Sequence, residues 1–209
     1  LRHGSVEREI TLPAPPSTNV VAAHGAFWVG LGDGRIARVH VTTGRLTVER
    51  IGDSGTSVRA LGGAVNGIAA TTSMGDVAFV GSDGRRRWSV SGQGDLPGRP
   101  AVVGGYLGVV ERKGRLLVFD VETGQLTGTT ELSGSAPHGL LGVDDVFVTA
   151  LEDGRIMAIE PEGPHVRVES GIGSTSPLPP ARIGADHLVI ALKNDEIGLV
   201  PVPRRPDSE

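Results

Sequence analysis

Few side chains in this 209-residue sequence are typed and spaced for chemistry. The six histidines are His3, His24, His40, His138, His165 and His187. No two of them stand at a metal-ligand spacing within one element, and none belongs to a zinc motif. Asp33, Asp83 and Asp153 carry the oxygen ligands that calcium takes. Each, however, sits in its own Asp-Gly turn, where Asp is favoured for its local backbone hydrogen bonds. These aspartates read as folding chemistry. No G-x-S-x-G elbow or phosphate-binding loop is present. The expectation is a chain without catalytic residues, metal or cofactor.

Binding residues are easier to nominate. Asn19, Asn66, Arg99 and His138 each precede an apolar segment that follows a polar, mostly proline-containing stretch. Proline fixes φ and stiffens a loop, and stiff loops on a rigid scaffold suit recognition. By repeat equivalence the four residues would ring one mouth of a central channel and could hold an anionic or polar ligand. The competing reading is that they cap strand ends and hold water. Arg86 and Trp88 form a second candidate, because Trp and Arg dominate binding hot spots. Trp28, bracketed by apolar residues, reads as core.

The elements that would position these residues follow from a repeated phrase: an apolar run, a tight polar turn, then a second apolar run. It reads AFWVGLGDGRIARV at 26–39, VAFVGSDGRRRWSV at 77–90 and YLGVVERKGRLLVF at 106–119. It returns as VFVTALEDGRIMAI at 146–159 and HLVIALKNDEIGLV at 187–200. A period of about 40 residues is that of a β-propeller blade. Asp-Gly tolerates the positive φ of a tight hairpin, so each turn joins two antiparallel strands. The predicted fold is all-β: about five four-stranded antiparallel blades in one domain over 1–209.

The blades are placed at approximately 20–51, 57–90, 101–132, 139–169 and 181–201, with a polar tail at 202–209. The second repeat is uneven, its turn lying 50 residues after the first and 30 before the third. A truncated blade is expected there, with 52–66 as an enlarged loop. The fifth repeat lacks an outer strand. VEREITL at 6–12 resembles the other outer strands and is expected to complete that blade and close the ring, removing a free sheet edge. The rival reading makes 6–12 the tail of a preceding blade.

The net charge of −4 gives no basic footprint for nucleic acid. Arg85–Arg87 is the one dense basic run. Without Cys the fold has neither disulfides nor thiolate metal sites. No apolar stretch reaches the roughly 18 residues that a membrane helix needs, so no direct membrane insertion is expected. Leu1 in place of an initiator Met fits a processed chain or a piece of a larger one.

DVETGQLTG at 120–128 resembles the quinoprotein-type, PQQ-like repeat. The stretch GAFWVGLGDGRIARVHVTTGRLTVERIG at 25–52 resembles the YVTN-type repeat and its virginiamycin-lyase-like relatives. The resemblance extends over nearly the whole chain and is specific for propeller architecture. It implies several activities, because one fold hosts many. Non-enzymatic PQQ-like propellers are assembly scaffolds, including in outer-membrane protein insertion. YVTN-type propellers are extracytoplasmic modules, including sensor parts of bacterial membrane kinases. Quinoprotein dehydrogenases bind their quinone in a larger ring, and with two Trp and no vicinal Cys pair that cofactor is not expected here. The resemblance therefore implies a non-catalytic scaffold or sensor domain that binds a protein, a peptide or another domain of a parent chain, with an extracytoplasmic location favoured. The alternative is a small-molecule binder or lyase-like enzyme with its site at the channel mouth.

Overall fold

The computed structural model describes residues 8–134, 139–171, 180–184, 187–191 and 197–202. Among them are nineteen strands and no helix. Each sheet is an antiparallel meander with its strands in sequence order. The first holds β1 (Val21–Ala23), β2 (Ala26–Gly30), β3 (Arg35–His40) and β4 (Leu46–Arg50). The second holds β5 (Val58–Ala64), β6 (Gly67–Thr72), β7 (Val77–Gly81) and β8 (Arg86–Val90). The third holds β9 (Ala101–Val103), β10 (Tyr106–Val110), β11 (Arg115–Asp120) and β12 (Leu126–Glu131). The fourth holds β13 (Leu141–Val143), β14 (Val146–Ala150), β15 (Arg155–Glu160) and β16 (His165–Gly171). β17 (Ala181–Ile183), β18 (His187–Ala191) and β19 (Ile197–Pro201) make a fifth, three-stranded sheet among the described residues.

The middle strands are near-continuous apolar runs because a neighbouring sheet covers each face. β7 and β14 are buried throughout, whereas the outer strand β12 alternates between exposed and half-buried. The core is one stack per sheet boundary. Trp28 and Ile36 pack on Leu61, Ile68 and Val80, and Phe79 packs on Leu107 and Phe119. Val118 packs with Phe147 and Ile159, and Val148 with Leu188 and Ile190. Full burial of one such side chain is worth about 1.5–3 kcal/mol. The boundaries between sheets therefore carry the stability, and each sheet depends on its neighbours.

The second sheet corrects the expected truncation: it has all four strands, and residues 58–64 form β5 instead of a loop. The repeat is in fact even. The turn joining the second and third strands is closed by Gly34, Gly75, Gly114 and Gly154, at intervals of 41, 39 and 40 residues. Each donates its N–H three residues back, to Leu31, Thr72, Glu111 and Leu151 respectively. All four have φ between 80° and 91°, which glycine adopts without strain. Asp83-Gly84 instead lies between β7 and β8. That turn is one residue shorter than its counterparts: Gly84 N donates to Gly81 O, whereas Gly44 N and Gly124 N reach four residues back. Shortening gave it the look of a turn from elsewhere in the repeat.

Residues 8–12 form no strand, and no pairing with β19 exists among the described residues. Leu12 and Ala14 instead cover Val29, Leu31 and Ala37 on the outward face of the first sheet. The Arg8 side chain packs against the Gly44 turn. Residues 6 and 7 of the expected closing strand lie outside the described residues.

Candidate functional site

Hydrogen bonds sort the loops onto two faces. Ile51 N donates to Gly34 O at 3.0 Å, Gln93 N to Gly75 O at 3.0 Å and Leu132 N to Gly114 O at 2.9 Å. The sheet-to-sheet connections thus share a face with the turns between second and third strands: the connection face. Val41 N donates to Gly25 O at 2.9 Å, Ser82 N to Asn66 O at 2.9 Å and Val121 N to Gly105 O at 2.8 Å. The remaining turns therefore share the far face.

The described channel-mouth candidates, Asn19, Asn66 and Arg99, do not share one face. Asn19 is exposed ahead of β1, and Arg99 is exposed ahead of β9 on the connection face. Arg99 borders a cavity of about 100 Å³ between inner strands, with Pro100, Leu140 and Leu141. Its backbone carbonyl accepts from Leu140 N at 2.8 Å, which ties the third sheet to the fourth. Asn66 lies in the β5–β6 turn on the far face. This corrects its expected position, because β5 occupies the residues assumed to be a loop. His138 lies outside the described residues. His24 Nε2 stands 2.8 Å from Ala64 O, joining two neighbouring turns, so its role is structural.

Trp88, the other partner-binding candidate, is only partly exposed. It is half-buried, stacked on Phe79 with ring centres 6.3 Å apart and tilted against Phe119 at 6.2 Å. Its indole N–H donates to Val121 O at 2.8 Å. The ring lies over Gly124, where a Cβ would stand 2.6 Å from it. The exposed hot-spot candidate that remains is the arginine run.

Arg85, Arg86 and Arg87 are all exposed and stand between two clefts. One, of about 360 Å³, lies between the second and third sheets. Phe79, Val102 and Val121 give it an apolar lining, and Asn66, Arg87 and Glu122 a polar one. Val65, 86% exposed, also lines it. The other cleft, of about 530 Å³, lies between the first and second sheets and is lined by Arg38, His40, Arg45, Arg85, Glu49 and Asp83, among others. Arg38 lies over the fully buried Trp28 ring, its guanidinium carbon 5.4 Å from the ring centre. The Arg38 Nε is buried and has no hydrogen-bond partner.

Electrostatics fix which charges are committed. The backbone N–H of Arg85 donates to Asp83 Oδ1 at 3.1 Å, and the Arg87 guanidinium lies 3.1 Å from Oδ2. The Arg85 N–H foremost, and then Arg87, hold the Asp83 carboxyl below its ordinary value against the opposing effect of burial. Asp33 and Asp153 pair in the same way with Arg35 and Arg155. The turn carboxylates that invited a calcium reading thus neutralise arginines of their own hairpins. Among the described residues, no group of three His, Asp or Glu side chains is placed to hold a metal. Sequence reading missed Arg38 and Arg45, because they join Arg85 only across a sheet boundary. No spacing along one strand signals that.

Known proteins give a consistent likeness. The profile of the family described as "Outer membrane protein assembly factor BamB" matches residues 4–167. BamB from Moraxella catarrhalis is similar in structure at TM-score 0.72 and 14% identity, over 93% of this chain and 60% of that one. The Cps50 (Swd1) β-propeller domain of Myceliophteria thermophila is similar at TM-score 0.73 and 13% identity, over 96% and 70%. The Pan2 WD40 domain of Neurospora crassa gives 0.65 and 16%, over 90% and 60%. The chain thus spans about three fifths of the length of that BamB. No curated protein matches it in sequence.

Proposed function

This chain belongs to the β-propeller family of the outer membrane protein assembly factor BamB, and from that premise we propose that it is a non-catalytic scaffold docking a protein partner on its far face. The observation that carries the reading is the exposed run Arg85–Arg87 set between two clefts, one with an apolar lining and one rich in arginine. Interface centres combine apolar pockets with arginine, so this face has the composition of a docking surface. The strand β7 that pairs with the arginine-bearing β8 is buried throughout, so the arginines stand on a packed frame. An extracytoplasmic location and a role in assembly are proposed from the family description. The channel-mouth alternative draws less support, because Asn66 lies on the far face and Arg99 on the connection face.

The test is interaction with proteins of the source organism's envelope. The unaltered chain is expected to retain a defined partner, and Arg86→Glu/Arg87→Glu is expected to release it. Arg99→Glu, on the opposite face, should leave retention unchanged. Equal retention by the far-face variant and the unaltered chain would overturn the reading.

A further inference from the structure

We propose that the cleft between the first and second sheets is a carboxylate-binding site that seats an acidic side chain of the docked protein on Arg38, Arg45 and Arg85. This deepens the far-face docking reading and rests on it.

Three observations carry it. First, none of the three arginines makes an ion pair among the described residues. The cleft's own acids do not offset them: Asp83 is engaged by Arg87 and by the Arg85 backbone, and Glu49, the other carboxylate of the lining, pairs with none of the three.

Second, Arg38 is pre-positioned. The Trp28 ring lies beneath its guanidinium, and Gly84 packs beside its stem, where a Cβ would come within 3.3 Å of the Arg38 Cδ. Little side-chain freedom remains to be lost on binding, and that loss otherwise offsets much of an ion pair's gain.

Third, the remaining lining complements an oxyanion. The His40 Nδ1 accepts the backbone N–H of Thr43 at 3.4 Å, so in the neutral ring Nε2 carries the hydrogen and can donate. Thr43, whose Oγ1 accepts the Arg45 backbone N–H at 3.3 Å, adds a hydroxyl donor. At about 530 Å³ the cleft admits several residues of an extended chain, more than a lone ion needs. Arginine's fork suits carboxylate and phosphate alike. The apolar cleft on the other side of Arg85–Arg87 favours a carboxylate carried on a polypeptide.

The probe is fluorescein-labelled hexaglutamate, followed by anisotropy at low salt with labelled hexaglutamine as control. Hexaglutamate should bind and hexaglutamine should not. Arg45→Gln/Arg85→Gln should weaken binding at least tenfold, and so should Arg38→Gln where circular dichroism confirms its fold. Arg99→Gln should bind as the unaltered chain does. Unchanged binding by folded Arg45→Gln/Arg85→Gln, or equal binding of hexaglutamine, would overturn the assignment. So would inorganic phosphate that binds the cleft more tightly than hexaglutamate, since it would identify a free oxyanion ligand. The two readings fail separately. A partner released by Arg86→Glu/Arg87→Glu but kept by Arg45→Gln/Arg85→Gln sinks the carboxylate site alone. A partner kept by both sinks far-face docking itself.

Discussion

The indole N–H of Trp88 donates to the carbonyl oxygen of Val121, 2.8 Å away, across the boundary between the second and third sheets. One side chain there combines a hydrogen bond with aromatic packing on Phe79 and Phe119. Trp88→Phe should lose the hydrogen bond and cost about 1 kcal/mol. Trp88→Ala should cost about 3 kcal/mol, the low end for a large aromatic, because the ring is only half-buried. Urea unfolding measures both, and equal stability of the two variants would contradict this account.

The glycine turns offer a contrast between conformational strain and collision. Gly55 has φ +97°, and nothing lies within 4 Å of the point where a Cβ would stand, so Gly55→Ala should cost only the backbone strain, about 1 kcal/mol. Gly75 has φ +81°, and a Cβ there would run into the Gly94 backbone. Gly75→Ala should therefore be the more damaging of the two. Thermal melts of both variants decide it, and the reverse order would show that Gly75 does not hold the turn equivalent to Gly34.

Acid should unfold the chain through its turns. Asp33 is held below its ordinary value of 3.8 by the Arg35 side-chain hydrogen bond, and Asp120 by the backbone N–H and hydroxyl of Thr123. Each carboxyl is depressed in the folded state. The stability it contributes is present above about pH 4 and lost as pH falls through the folded value. Urea midpoints measured from pH 7 to pH 3 should fall at the acid end. The deficit of Asp33→Asn relative to the unaltered chain should shrink there, and a deficit that stays constant with pH would rule Asp33 out.

The N-terminal segment should be part of the folded unit. Leu12 and Ala14 cover Val29, Leu31 and Ala37, and Gly30 N donates to Thr18 Oγ1 at 2.8 Å. Deleting residues 8–14 should cost several kcal/mol through the apolar area exposed. Leu12→Ser alone should cost roughly 1 kcal/mol, since Leu12 is half-buried. Unchanged melting of both proteins would mean that the segment is not bound in solution.

The hairpins at Gly34, Gly114 and Gly154 were legible because local turn chemistry and flanking apolar runs coincide there. The phase of the second sheet was not. Its β7–β8 turn is a residue short and carries Asp-Gly, so it imitates the turn one strand earlier, while the true counterpart reads Met74-Gly75-Asp76. Asn66 was misplaced for the same reason. Trp88 follows three arginines in the chain, and pairing of β8 with β7 sets it against Phe79, a contact that no local pattern announces. The arginine cleft was invisible for a deeper cause. Arg38, Arg45 and Arg85 belong to two sheets, and a repeat period describes each sheet without saying which side chains meet between them.

Near-identical repeats carry a hazard: any sheet can stack on the wrong neighbour with little loss. The odd turn of the second sheet works against this. Its short loop places Gly84 beside Arg38 and Thr47 of the sheet before it, and its outer strand presents Trp88 to Gly124 of the sheet after it. A misordered stack would separate Gly84 from Arg38 and Trp88 from Phe119. The irregular repeat thus serves as an address, telling the chain during assembly which sheet is which.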